Sequence, residues 1–160
     1  GIAQAGGVLV GQAVGRSDDD GARRAAGAAL LAGAAFMCFT AVVFLLIPGQ
    51  LARIYTTDVA VITLATVLIR VAGVFQVFDG LQVVGAGVLR GIGDTRVPMI
   101  VGLVGFWLIG MPVSAYLGFR TSLGPLGLWW GFVAGLVAVA GFLVLRIRWR
   151  FVQTLSRWEH

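Results

Sequence analysis

Residues 25–47 read AAGAALLAGAAFMCFTAVVFLLI, an unbroken run without a single charged side chain. Wound as an α-helix at about 1.5 Å per residue, the run is about 35 Å long. That length crosses the roughly 30 Å of hydrocarbon in a bilayer. Working outward, Val97 to Phe119 and Pro125 to Leu145 supply two further runs of the same kind. A fourth and longer run, Val59 to Leu89, is interrupted by Arg70, Gln76, Asp79 and Gln82. Ile2 to Val14 is apolar but covers only about 20 Å as a helix, so it is expected to be the last part of a span that begins outside the chain. The reading is all-α: a polytopic transmembrane helix bundle with four full spans and one truncated span. Its helices are expected at about 2–14, 22–47, 59–89, 96–119 and 125–146, forming a partial transmembrane lobe over residues 1–146. Residues 147–160 mix Arg, Trp and Phe and are expected to form a short interfacial, cytoplasmic tail.

Composition agrees with the spans. Hydrophobic residues make up 59% of the chain and charged residues 12%, with a mean hydropathy of +0.95. Soluble domains carry about 25% charged residues. The formal charge of +5 does not imply nucleic acid, because the Arg residues sit at the ends of apolar segments and form no basic face. The lone cysteine, Cys38, excludes an internal disulfide and is expected to be a small packing residue.

The breaks between spans carry helix punctuation. Ser17 precedes Asp18 to Asp20 and is expected to cap the span that follows, with carboxylates in its first turn. Thr57 and Asp58 are placed to cap the next helix, and Asp94 or Thr95 the one after it. Pro48 and Gly49 close the second segment, Gly124-Pro125 opens the last, and Pro112 should kink the span that contains it. Arg residues fix the orientation. Arg16, Arg23, Arg24, Arg90, Arg96, Arg146, Arg148, Arg150 and Arg157 fall on one side, and only Arg53 and Arg120 on the other. By the positive-inside rule the first side is cytoplasmic, and so is the C-terminus. Small residues recur at four-residue spacing in Gly7, Gly11 and Gly15, and again in Gly127, Gly131 and Gly135. Such stripes let helix backbones approach closely in lipid.

Asp79 is the residue on which chemistry is expected to rest. Counted back from Leu89 it lies about 15 Å deep, where an ionised carboxylate is costly unless paired or hydrated. It would bind a cation or take up a proton, and a coupled transporter requires one or the other. Gln76 and Gln82, three residues to either side, extend a polar face on the same helix. The alternative is a carboxylate locked in a salt bridge between helices. Arg70, nine residues away, projects from the opposite face and is read as snorkelling to the headgroups. Gly91-Ile92-Gly93-Asp94 is read as a tight turn, not a phosphate loop, since no strand precedes it. Trp107, Trp129 and Trp130 are read as packing or interfacial residues. The only His is His160 and there is no Lys, so no catalytic or cofactor-binding cluster can be assembled and enzyme activity is not expected.

With these residues in place, the chain resembles the MATE (multidrug and toxic compound extrusion) family. Val10-Gly11-Gln12 through Arg24 is similar to the end of the family's helix eight and its following loop. Phe78-Asp79-Gly80-Leu81-Gln82-Val83-Val84, with Leu89 to Thr95, is similar to helix ten and the loop after it. Phe106 to Pro112 resembles helix eleven, and Gly124 to Gly131 the start of helix twelve. The resemblance implies a fold of twelve helices in two lobes and antiport of organic cations or drugs against sodium or protons across the bacterial inner membrane. In the family's NorM-type branch a helix-ten Asp belongs to the cation site, and Asp79 stands at that position, which makes it the candidate ligand for Na⁺. The partners implied are the lipid bilayer, the N-terminal lobe of the same transporter and small organic cations, with no nucleic acid. Gly15-Arg16-Ser17-Asp18 departs from the usual Gly-Ala-Gly-Asp turn and is read as neutral. Two other readings fit the spans: a lipid-linked sugar flippase of a related two-lobed type, and a non-transporting scaffold subunit assembled through its Gly stripes.

Overall fold

The protein is described by a computed structural model that covers the backbone of residues 1–156 and the side chains of residues 1–151. The helices are α1 (Ile2–Gly15), α2 (Asp19–Leu46), α3 (Pro48–Arg53), α4 (Val59–Gly91), α5 (Arg96–Val104), α6 (Met111–Arg120) and α7 (Pro125–Ser156). A π-helical stretch, Gly105–Gly110, joins α5 to α6. Among the described residues there are no strands. Four segments are long and apolar enough to cross a membrane: Asp19–Leu46, Val59–Gly91, Arg96–Arg120 and Pro125–Phe151. The shorter α1 is apolar as well. The chain is therefore an all-helical, multi-pass bundle.

Many large side chains point outward, and much of the interior is small, although Leu89, Leu136 and Leu143 are fully buried. Leu31 is 73% exposed, Phe39 69% and Leu108 70%, whereas Ala3, Ala13, Ala22, Ala26 and Ala29 are buried. Lipid tails solvate Leu as well as a protein core does, so the interior is selected for close backbone approach instead. Cys38 follows the large residues: it is exposed on the outside of α2 and is not the packing residue expected of it.

The central element is α4, which packs against α1, α2, α3 and α7. Its contact line with α2 and α1 is made of glycines. A methyl group added at Gly73 would lie 3.1 Å from the Phe44 Cβ, and one at Gly80 would collide with the Met37 side chain. One at Gly87 would collide with the Ala3 carbonyl, and one at Gly91 would lie 2.5 Å from the Gly7 carbonyl. On α1, Gly7 and Gly11 face Gly87 and Gly91 in return, while Gly15 at the helix end meets nothing. On the opposite side of α4, Gly85 lies against Leu143 of α7. Nearby, Phe75 packs edge-on to Trp129, with ring centroids 6.0 Å apart. Trp107 and Trp130 stand on the outer surface, 62% and 43% exposed.

The third span combines its proline with a change of helix type. Pro112 lacks an N–H, and its ring conflicts with the carbonyl four residues earlier, at Leu108. The preceding turns widen to π geometry, which takes up the mismatch. This span then packs on α7 through the second glycine stripe. A methyl at Gly127 would strike the Leu117 carbonyl, one at Gly131 the Ser114 backbone, and one at Gly135 would lie 2.9 Å from the Gly110 Cα. The Ser114 hydroxyl donates to the Leu128 carbonyl at 2.9 Å across the same seam.

Two of the three expected caps differ in the structure. The first is set by Asp18 and not Ser17: the Asp18 carboxylate accepts from the Gly21 N–H at 2.8 Å. Ser17 instead adopts a left-handed backbone, φ 56°. A glycine takes that conformation freely, whereas an L-residue with a Cβ costs about 1–2 kcal/mol, so the departure at this turn is not neutral. Asp58 caps α4 as expected, accepting from Ala60 and Val61. Asp94 caps nothing, and the Thr95 side chain makes no cap bond either. Asp94 is buried, and one carboxylate oxygen accepts from Arg146 Nε at 3.1 Å and from its terminal nitrogen at 3.0 Å. Arg150 Nε lies 3.6 Å from the same oxygen. Paired charged donors outweigh a single backbone N–H. Arg146 also stacks over the Trp149 ring at 4.6 Å.

The turn itself is tight, with Gly93 at φ 80°. Because Arg146 and Arg150 bind there from successive turns, α7 continues as helix through the start of the expected tail, as far as Ser156. Residues 157–160 lie outside the described residues. Pro48 does end α2, but it also opens α3 as its first residue.

Gly131→Leu should lower the thermal midpoint of the detergent-purified protein by several degrees, since overpacking a tight seam costs about 1–3 kcal/mol. Gly141→Ala, where nothing lies within 4 Å, should leave it unchanged or raise it slightly. Asp94→Ala should cost about 1.5–3 kcal/mol by the same measurement, having removed the acceptor of a charged pair. The exchange Asp94→Arg with Arg146→Asp should recover part of that loss.

Candidate functional site

The site is built on the third face of α4. At about 100° per residue, Asp79 lies about 100° round the helix from Gly80 and about 120° from Gly85. It therefore points into neither the α2 seam nor the α7 seam. It opens on a cleft of about 470 Å³ lined by residues of α1, α2 and α4, among them Ile2, Gly33, Phe36, Met37, Val83 and Val84. Gly33 and Gly80 make the floor. A methyl at Gly33 would lie 2.8 Å from the Val84 Cγ2, and one at Gly80 would displace Met37. The neighbour of Asp79 in sequence thus lets α2 come close enough to close one side of the cleft.

Asp79 is half-buried. Among the described residues it has no hydrogen bond and no ion pair. No group of three or more His, Cys, Asp or Glu is assembled among them. The salt-bridge alternative is therefore not realised within the described residues. Arg70, on the opposite side of α4, is exposed and unpaired with Asp79. One negative charge in an apolar cleft favours any single positive charge that can reach it.

The two glutamines do not join Asp79 in lining the cleft. They flank it about 60° to either side, with Gln76 Nε2 and Gln82 Oε1 buried and without a hydrogen-bond partner. The helix-packing stripe Gly127, Gly131 and Gly135 lies on α7 against α6 and the π-helical stretch, away from the cleft. The sequence reading did not single out Phe36 and Met37. They sit in an apolar run with no polar mark, and only the approach of α2 to Gly80 brings them to Asp79.

A model of the MatE family matches residues 1–116. The chain is 42% identical over 155 residues to the multidrug resistance protein NorM of Burkholderia vietnamiensis, covering 94% of this chain and 33% of NorM. It is 37% identical over 146 residues to the multidrug resistance protein MdtK of Edwardsiella ictaluri, covering 89% and 32%. The chain thus spans about a third of the length of the curated relatives it matches. In fold it is similar to a multidrug resistance MATE family transporter of the MOP superfamily in an inward-facing conformation. That TM-score is 0.87 at 20% identity, over 99% of this chain and 36% of that one. It is also similar to the eukaryotic MATE transporter AtDTX14, with a TM-score of 0.85 at 21% identity, over 91% and 33%. At these identities the structural likeness shows the fold alone. The family match and the sequence relatives carry the assignment: this multi-pass helical chain belongs to the MATE family of membrane transporters.

Proposed function

We propose that the chain forms part of a cation-coupled multidrug antiporter of the bacterial inner membrane, with Asp79 as the residue that couples ion to substrate. The observation that carries this reading is an ionisable carboxylate within a helix long and apolar enough to cross a membrane, facing a cleft and without a hydrogen bond or ion pair among the described residues. Such a group is costly to keep charged in isolation. It is stabilised by a sodium ion, a proton or an organic cation, and it holds one of them at a time. Exchange follows from that competition: a coupling ion arriving from one side displaces an organic cation to the other. Alternating access of this kind needs two lobes moving about a shared site, so the N-terminal lobe of the same transporter is a required partner. The names of the multidrug resistance relatives support drugs as the exported class.

The exposed Arg16, Arg23, Arg24, Arg90, Arg96 and Arg148 support a cytoplasmic placement of the helix ends that carry them, and of the C-terminus. Sodium and proton both fit a single carboxylate.

In the transporter to which this chain contributes, Asp79→Asn should reduce ion-driven ethidium efflux at least tenfold while membrane insertion and expression stay at wild-type levels. Efflux at the wild-type rate in that variant would remove Asp79 from the coupling step.

A further inference from the structure

We propose that the first turns of α5 and the last turns of α7 form a site for a phospholipid with an anionic headgroup. Arg96 and Arg146 receive the phosphodiester, and an acyl chain lies along the α5–α7 seam. The inference needs only that these helices span a membrane, and it does not rest on the coupling role of Asp79.

The contact at Asp94 assembles the site. Asp94 stands two residues before Arg96, so its bonds to Arg146 bring the start of α5 beside the end of α7. Arg146 commits its Nε and one terminal nitrogen to Asp94 and lies over the Trp149 ring. Its other terminal nitrogen has no hydrogen bond among the described residues. A guanidinium fixed on two sides loses little freedom when it takes a further acceptor. Charge decides what that acceptor is. Asp94 and Arg146 cancel, and Arg150 lies between Asp94 and a small cavity that it shares with Asp19. Arg96 is exposed, with no ion pair or hydrogen bond among the described residues. Its charge is left to be matched by an anion, and a phosphodiester carries one negative charge.

The apolar surface that runs from these arginines selects a lipid over a soluble anion. Arg96, Ile100 and Val104 follow at four-residue spacing, within about 80° on one face of α5, and all three are exposed. Phe142, Leu145 and Trp149 fall within about 60° on α7 and are exposed as well. Because α5 packs on α7, the two strips run from the charged end into the hydrocarbon on adjoining helices. An acyl chain covers both strips, whereas a free phosphate has no use for them. Trp149 marks the depth, since indole rings collect where hydrocarbon meets headgroups. Basic pockets between spanning helices hold anionic lipid headgroups by the same chemistry. The seam lies on the α7 side of α4, opposite α1. Two other exposed arginines stand apart from it: Arg90 lines a cavity beside α1, and Arg148 points about 160° away from Arg146 round α7.

The test is binding of phosphatidylglycerol to the detergent-purified transporter that contains this chain, read by native mass spectrometry beside phosphatidylcholine. Phosphatidylglycerol should bind more tightly than phosphatidylcholine. Arg96→Gln should raise its Kd about fivefold, the weight of one arginine beside an anionic headgroup. Arg148→Gln removes the same charge from the far side of α7 and should leave the Kd unchanged. Excess inorganic phosphate should not displace the lipid. Both arginines are exposed, and a wild-type thermal midpoint in each variant separates lost binding from lost folding. Equal affinity for the two lipids, or a wild-type Kd in Arg96→Gln, overturns the proposal. An equal loss in Arg148→Gln overturns it in favour of a diffuse basic surface, and displacement by phosphate overturns it in favour of a soluble anion.

Discussion

Everything in this bundle depends on how closely other backbones can approach α4. Between helices in lipid there is no hydrophobic driving force, and association comes from packing and from hydrogen bonds. Gly73, Gly80 and Gly87 recur every seven residues, and Gly91 follows one turn later. A seven-residue repeat on a straight helix drifts only about 20° per step, so these glycines form one nearly continuous groove. α2 fills its first part and α1 its second. The Leu143 and Trp129 side chains of α7 then cover the other side of α4. With two faces closed in this way, the face between them carries Asp79 and borders the cleft.

The same economy explains where polar groups are tolerated. At the end of the bundle rich in arginine, Asp94 is buried and neutralised by Arg146, with Arg150 alongside. That contact ties the turn after α4 to α7, elements 52 residues apart in sequence. Twelve residues before the end of α4, Asp79 receives no such partner among the described residues. Two carboxylates therefore sit on either side of one helix end in different circumstances. Asp94 is satisfied by protein and serves structure, whereas Asp79 has no such partner among the described residues, as the proposed coupling role requires.

Much of this was legible in the sequence, for a physical reason. The bilayer imposes a length on each span, so hydropathy alone placed the helices to within a few residues of Asp19–Leu46, Val59–Gly91 and Arg96–Arg120. Depth and charge singled out Asp79 from the same rule. Features decided by contacts between helices were less accessible. The stripe at Gly127, Gly131 and Gly135 was visible because its spacing is four. The line at Gly73, Gly80 and Gly87, spaced by seven, passed unnoticed among 24 glycines. Asp94 sits where a cap is expected, and only the fold reveals Arg146 within reach. Ser17 and Asp18 exchange roles because a left-handed turn is required at Ser17. Phe36 and Met37 carry no local signal of any kind, since they become lining residues only through the closeness that Gly80 permits.

The central claim is that Asp79 faces a cleft open to aqueous solutes and does not lie in a sealed helix seam. It is tested most directly by thiol accessibility in a Cys38→Ser background, with cysteine placed at position 79 or at the lipid-facing position 31. A small, water-soluble methanethiosulfonate reagent labels only thiols that ionise in water. The account predicts labelling of the Asp79→Cys protein and none of the Leu31→Cys protein. An Asp79→Cys protein that resists the reagent while remaining folded would contradict it.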